Sequence, residues 1–146
     1  MSVEHSSFVI ERTYPAPPAR VFAAWADPAA KAQWFGGAGY ALDFRVGGTE
    51  TNGGGPEGGP FYRYEATFRN IVPGERIVYT YDMHMDDAMI SVSVVTAEFA
   101  PDGDGTRLTY TEHGAFLDGL ETAAQREHGT GELLDRLGEL LTRTPA

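Results

Sequence analysis

The stretch LETAAQREHGTGELLDRLGELL, Leu120 to Leu141, decides the fold, because no other segment is long and periodic enough to close a core over a sheet. Leu120, Ala123, Ala124, Gly131, Leu134, Leu137, Gly138 and Leu141 recur at the three-and-four spacing of one helix face. The second half of that face is rich in leucine. The first half offers Ala123, Ala124, Glu127, Thr130 and Gly131, which are small or polar and leave room beneath them. A helix with this pattern seals a sheet at one end and stands off it at the other. Gly129, Gly131 and Gly138 each cost a helix interior about 1 kcal/mol relative to alanine, so a break near Gly129 stays open. These glycines allow two readings, close approach of the helix backbone to the sheet or space for a guest molecule.

Outward from this helix the pattern changes to period two. Thr106 to His113 alternates and is preceded by Asp102-Gly103-Asp104-Gly105, a hairpin signal, with a long strand from Met89 to Ala100 before it. Ile77, Tyr79, Tyr81 and Met83 alternate with polar residues, as do Tyr62, Tyr64, Ala66 and Phe68, and the turn Val72-Pro73-Gly74-Glu75 separates the two runs. Further upstream, Tyr40 to Val46 and Thr49 to Asn52 read as strands joined by Gly47-Gly48. The glycine-rich run Asn52 to Pro60 lacks the Gly-Lys-Ser/Thr ending of a phosphate loop and reads as a flexible hairpin loop. Phe8 to Tyr14 is a first strand, stopped by Pro15-Ala16-Pro17-Pro18. Two short helices follow, Pro18 to Ala26 and Pro28 to Trp34, the second started by Asp27-Pro28. Strands run together with helices segregated from them imply an α+β domain with its helices on one side of a curved antiparallel sheet of about six to seven strands.

Composition narrows the function. The 146 residues suit a single domain over residues 1–146, and the absence of cysteine removes disulfides and thiolate chemistry. The formal charge of -10 repels phosphate backbones and anionic membrane surfaces, so no nucleic-acid partner is expected. Met1 to Ser7 has no basic segment ahead of an apolar run, and no stretch approaches a bilayer span. The expected compartment is the cytoplasm, without membrane insertion.

Strand parity places Tyr62, Tyr64, Tyr79, Tyr81 and Met83 toward the long helix, provided no bulge shifts the alternation. Buried tyrosines need partners for their hydroxyls. Several on one inner face therefore favour a cavity holding water or ligand over a dry core. Glu112 shares its face with Leu108 and Tyr110, and Glu127 on the helix could face it, forming a pair of carboxylates able to act as acid and base. A rim or solvent position for one of them is the alternative. Met83-His84-Met85-Asp86-Asp87 puts neighbouring groups on opposite faces and matches no zinc spacing. Asp102-Gly103-Asp104-Gly105 is a turn rather than a calcium loop, since Arg107 stands where glycine is required. No metal or other cofactor is expected, and no serine sits in a nucleophile elbow.

Phe8 to Pro17, Val21-Phe22-Ala23-Ala24-Trp25, Gln33-Trp34-Phe35, Arg45-Val46-Gly47-Gly48, Ile71 to Val78, Gly105 to Thr109 and Leu134-Asp135-Arg136-Leu137 together resemble the START-like (SRPBCC, or polyketide cyclase) superfamily. Within it they most resemble bacterial homologues of the activator of the 90-kDa heat-shock-protein ATPase. The resemblance implies a helix-grip fold, with a bent sheet gripping the last helix and a cavity between them. Many relatives carry a Gly-Trp pair early in that helix, where this chain has Gly129-Thr130, and many have a histidine at the position of Glu112. An aromatic from the sheet, Tyr62 or Tyr64, could fill the place of the missing indole.

Three functions follow as expectations. The first is binding of a small hydrophobic or aromatic molecule among Trp34, Phe35, Tyr62, Tyr64, Tyr79, Tyr81, Met83, Tyr110, Glu112, Glu127, Thr130 and Gly131. The second is a cyclase, dehydratase or hydrolase on an aromatic substrate, with Glu112, Glu127 or a tyrosine as acid or base. The third is stimulation of a chaperone ATPase, implied by the family and weakened because the chain is too short for the additional domain of larger activators. The resemblance also allows a homodimer, although no seam in the sequence specifies one.

Overall fold

A computed structural model describes residues 1–143. Strand β1 (Val3–Tyr14) leads into helices α1 (Pro18–Ala26) and α2 (Pro28–Trp34). Strands β2 (Ala41–Leu42), β3 (Thr49–Gly54), β4 (Tyr62–Val72), β5 (Arg76–Met85), β6 (Ala88–Asp102) and β7 (Gly105–Leu117) follow, then helix α3 (Ala123–Arg143). The seven strands form one antiparallel sheet in the order β1-β7-β6-β5-β4-β3-β2. The first strand thus lies beside the last, with Val3 opposite Leu117 and Tyr14 opposite Thr106. Register shifts at Phe68/Asn70 and at Met83/His84 mark irregularities of the kind that bend and twist a sheet.

Both short helices start as their prolines suggest. The Asp27 side chain accepts from the Ala30 amide at 3.0 Å, and Trp34 Nε1 donates to the Ala24 carbonyl at 2.9 Å, tying α2 to α1. The core between the helices and the sheet is built on Val21, Phe68, Ile77, Val95, Leu108, Leu134 and Leu137.

Helix α3 is unbroken through Gly129 and begins three residues later than the periodicity suggests. Thr122 Oγ1 accepts from the Gln125 amide at 3.1 Å while Gln125 Oε1 accepts from the Thr122 amide at 2.9 Å. This capping box starts the helix at Ala123 and leaves Leu120 and Glu121 in the connector from β7. Leu120 and Ala124 are exposed, and the buried line along α3 runs through Arg126, Thr130, Gly131, Leu134, Leu137, Leu140 and Leu141. The C-terminal half is fastened to β1 and α1. Tyr14 Oη donates to the Leu134 carbonyl at 2.8 Å, Arg12 Nε pairs with Asp135 at 2.8 Å, and Arg20 Nη1 reaches the Leu141 carbonyl at 3.1 Å.

The expected strand Tyr40 to Val46 is shortened to Ala41–Leu42. Asp43 N donates to Thr49 O, Gly48 N to Arg45 O and Gly47 N to Phe68 O, so residues 43–48 form a turn in which Gly47 has φ +84°. Phe44 still packs inward, as Leu42 does, edge-on against Phe22 and Phe68 with centroids 5.8 and 5.0 Å apart.

Candidate functional site

Beneath the N-terminal half of α3 lies a cavity of about 540 Å³. The sheet contributes Asn52, Gly53, Gly54, Tyr62, Tyr64, Tyr79, Tyr81, Met83 and Tyr110 to its wall. Trp25, Trp34 and Phe35 line it from the short helices, and Leu120, Glu121, Gln125, Arg126, Gly129, Thr130, Leu133 and Leu134 from α3 and its connector. Trp34, Phe35, the four tyrosines of β4 and β5, Met83, Tyr110 and Thr130 are therefore brought together in one wall. The cavity persists with Tyr64 packed against Phe35 and Tyr81, at 5.1 and 4.9 Å between centroids.

The three glycines of α3 divide between the two readings. A Cβ on Gly129, in the cavity wall, would meet nothing within 4 Å, whereas one on Gly131 would sit 3.1 Å from Arg12 Nη2 and one on Gly138 3.2 Å from the Tyr14 ring. Gly129 leaves space, and the other two permit close approach. Gly131 lies on the β1 side of the helix with Arg12 and Glu127, outside the cavity.

Glu127 is exposed beside His128 and Glu132, turned away from Glu112, so the expected carboxylate pair does not converge. The group facing Glu112 is Arg126, one residue earlier and about 100° around the helix. Glu112 is fully buried and lies behind the wall instead of in it. Its oxygens accept from Tyr81 Oη at 2.7 Å, Ser93 Oγ at 2.7 Å, Tyr110 Oη at 2.9 Å and Arg126 Nη1 at 3.4 Å. Four donors on two oxygens is the arrangement a carboxylate takes. Arg126 Nη1 also donates to Tyr81 Oη at 2.7 Å and Nη2 to Ser91 Oγ at 2.8 Å. Its outer fork grips Glu121, with Nε at 2.7 Å and Nη2 at 3.1 Å. Burial alone would lower the Arg126 pKa, but Tyr81, Glu121 and Glu112 outweigh it and hold the value above the ordinary one.

A second buried polar group stands at the α2 end. Lys31 Nζ pairs with Glu50 at 2.9 Å, their side chains 3% and 1% exposed, and Glu50 also accepts from Tyr40 Oη at 2.7 Å and Tyr64 Oη at 3.3 Å. The ammonium sits 4.9, 5.3 and 4.4 Å from the ring centroids of Trp25, Trp34 and Phe35. Burial lowers the Lys31 pKa and Glu50 opposes that shift.

The hydroxyls of Tyr64, Tyr81 and Tyr110 are thus turned onto Glu50 and Glu112, of which strand parity placed only Glu112 on the inner face. Burial raises the pKa of Tyr64, Tyr79, Tyr81 and Tyr110, and the nearby carboxylates raise each further. These phenols remain protonated and serve as donors, not as bases. Trp25 Nε1 and the buried Oδ1 of Asn52 have no hydrogen-bond partner, and both residues belong to the cavity wall. Among the described residues no group of three or more His, Asp or Glu side chains converges on a point that could hold a metal ion, and no helix is long and apolar enough to cross a membrane.

The comparisons agree with this architecture. The Mll3558 protein of Rhizobium loti is 50% identical, with a TM-score of 0.90 over 96% of this chain and 99% of that one. An uncharacterized protein of Rhizobium leguminosarum is 43% identical, with a TM-score of 0.93 over 98% of each chain. DynU16, from the dynemicin biosynthetic locus, shares the fold at 20% identity, with a TM-score of 0.69 over 93% of this chain and 47% of that one. No match was found among curated proteins. The model of the family "Activator of Hsp90 ATPase homolog 1-like protein" matches residues 15–142, which take in the three helices and every strand but β1. With that match and the sheet gripping α3, the chain belongs to the Activator of Hsp90 ATPase homolog 1-like family and carries the START-like fold.

Proposed function

We propose that this protein binds a small hydrophobic or aromatic molecule in the cavity between the sheet and the N-terminal half of α3. The observation that carries the reading is the space of about 540 Å³, walled by tryptophan, phenylalanine and tyrosine rings, under the N-terminal half of α3. That size and lining suit a drug-sized apolar guest. The fold supports it too, since START-like domains commonly house hydrophobic ligands. Glu121, Gln125, Arg126 and Thr130 add a few polar groups to this aromatic wall, the kind of set that orients a guest.

The test compares the wild-type protein with Thr130→Trp, which puts an indole where the cavity is and where many START-like relatives carry one. Native mass spectrometry and thermal shift against a panel of aryl and acyl compounds should give retained ligand or a raised Tm for the wild type. Thr130→Trp should fold and lose that response. An equal response in both proteins, or none in the wild type, would remove the reading.

A further inference from the structure

We infer that the guest is an amphipathic carboxylic acid, an aromatic or acyl body with a carboxylate that takes the place of Glu121 on Arg126. The inference rests on the cavity reading above and adds the chemistry of the guest's polar end.

Among the described residues Arg126 is the sole cationic side chain of the cavity wall, because Lys31 is held behind the rings by Glu50. Its guanidinium is fixed from the sheet side, where Ser91, Tyr81 and Glu112 take Nη1 and the inner edge of Nη2. The rings of Tyr81 and Phe116 flank it at 5.5 and 5.3 Å. What remains is the Nε–Nη2 fork, the edge that matches a carboxylate in two parallel hydrogen bonds. Glu121 fills that fork now, and it differs from every other partner of Arg126 in its origin.

The other partners come from β5, β6 and β7, whereas Glu121 comes from the connector between β7 and the Thr122 cap. In that connector Asp118 and Gly119 have φ of 59° and 67°, and Leu120 is exposed. Glu121 itself is partly exposed at 18% and lines the cavity beside Arg126 and Gln125. It occupies a site built for a carboxylate while attached to a connector outside regular structure. Replacing its carboxylate by one carried on a guest preserves the charge around Arg126, returns Glu121 to solvent, and seats the guest's apolar body against the rings. A neutral guest has no such exchange available.

The probes are a series of aryloxyacetates of increasing ring size, 2-naphthoxyacetate among them, each with its primary amide, measured by titration calorimetry on the whole chain. The acids should bind at least about tenfold tighter than the amides, as a charge-assisted bidentate pair requires. In Glu121→Gln, where the competing carboxylate is gone, that acid-to-amide ratio should rise about fivefold more. Amide hydrogen exchange over residues 118–122 should quicken with the acid bound and not with the amide. A ratio near one, or a ratio unmoved by Glu121→Gln, overturns the acid inference and leaves a hydrophobic guest standing. Failure of acids and amides alike to bind overturns the cavity reading and the inference together.

Discussion

Lys31 and Glu50 form an ion pair 2.9 Å long in which neither side chain is more than 3% exposed. Such a pair is held less by its own attraction than by what surrounds it, since removing both charges from water costs several kcal/mol. Here the surroundings are three aromatic faces on the ammonium and two tyrosine hydroxyls on the carboxylate. The pair links α2 to β3 at the base of the cavity, so it sets where Trp34 and Phe35 stand.

Breaking that pair on one side should be costly. Glu50→Gln leaves the Lys31 charge buried with a neutral partner and is expected to lower stability by about 3–5 kcal/mol in urea denaturation. Lys31→Met combined with Glu50→Gln should recover most of the loss, because the amide oxygen still accepts from Tyr40 and Tyr64. A double variant as unstable as the single one would show that the charge pair is not what the site depends on.

Two glycines of one helix should respond in opposite directions to the same change. Gly129→Ala adds a methyl to open space and removes a helix-disfavouring residue, so stability should rise by up to about 1 kcal/mol. Gly138→Ala places its methyl 3.2 Å from Tyr14, whose hydroxyl is tied to the Leu134 carbonyl, and should gain nothing or lose stability. Thermal melts of the two variants side by side decide it, and an equal gain in both would contradict the division of roles.

Alkali should unfold the protein through its buried phenols. Tyr64, Tyr79, Tyr81 and Tyr110 all have pKa values raised above the ordinary value of 10.0. Above about pH 10 the unfolded chain releases these protons and the folded one keeps them. Fewer protons are then bound in the unfolded state, and stability falls as pH rises, by up to about 1.4 kcal/mol per pH unit for each group. The lowered pKa of Lys31 acts in the opposite sense but is a single group. Urea midpoints measured from about pH 9 to about pH 11 should drop steeply, and a flat profile would mean that the hydroxyls are solvated.

Much of the architecture is legible because it rests on local periodicity. The alternation of Tyr62 to Phe68 and Ile77 to Met83 places the right faces inward, and the leucines from Leu134 onward identify the sealed end of α3. The strand expected from Tyr40 to Val46 stops at Leu42, where the hydrogen bonds of residues 43–48 close a turn, although Phe44 still packs inward against Phe22 and Phe68. Glu50, Lys31 and Arg126 were not legible as site residues. A charged residue standing alone in sequence is ordinarily solvated, and the partners that make burial tolerable lie 14 and 19 residues away. One local signal for Arg126 does exist. Thr122-Ala123-Ala124-Gln125 is a capping box, and starting the helix there carries Arg126, Thr130 and Leu134 onto one line at intervals of four.

The pairing of β1 with β7 has a consequence for how the chain is made. Val3 finds its neighbour only when Leu117 has been synthesised, and Tyr14 its helix contact only at Leu134. Until β7 and α3 have left the ribosome, the inward-facing Phe8, Ile10 and Tyr14 have no lasting cover. Closure of this sheet is a long-range event, and the nascent domain stays exposed to aggregation until α3 arrives.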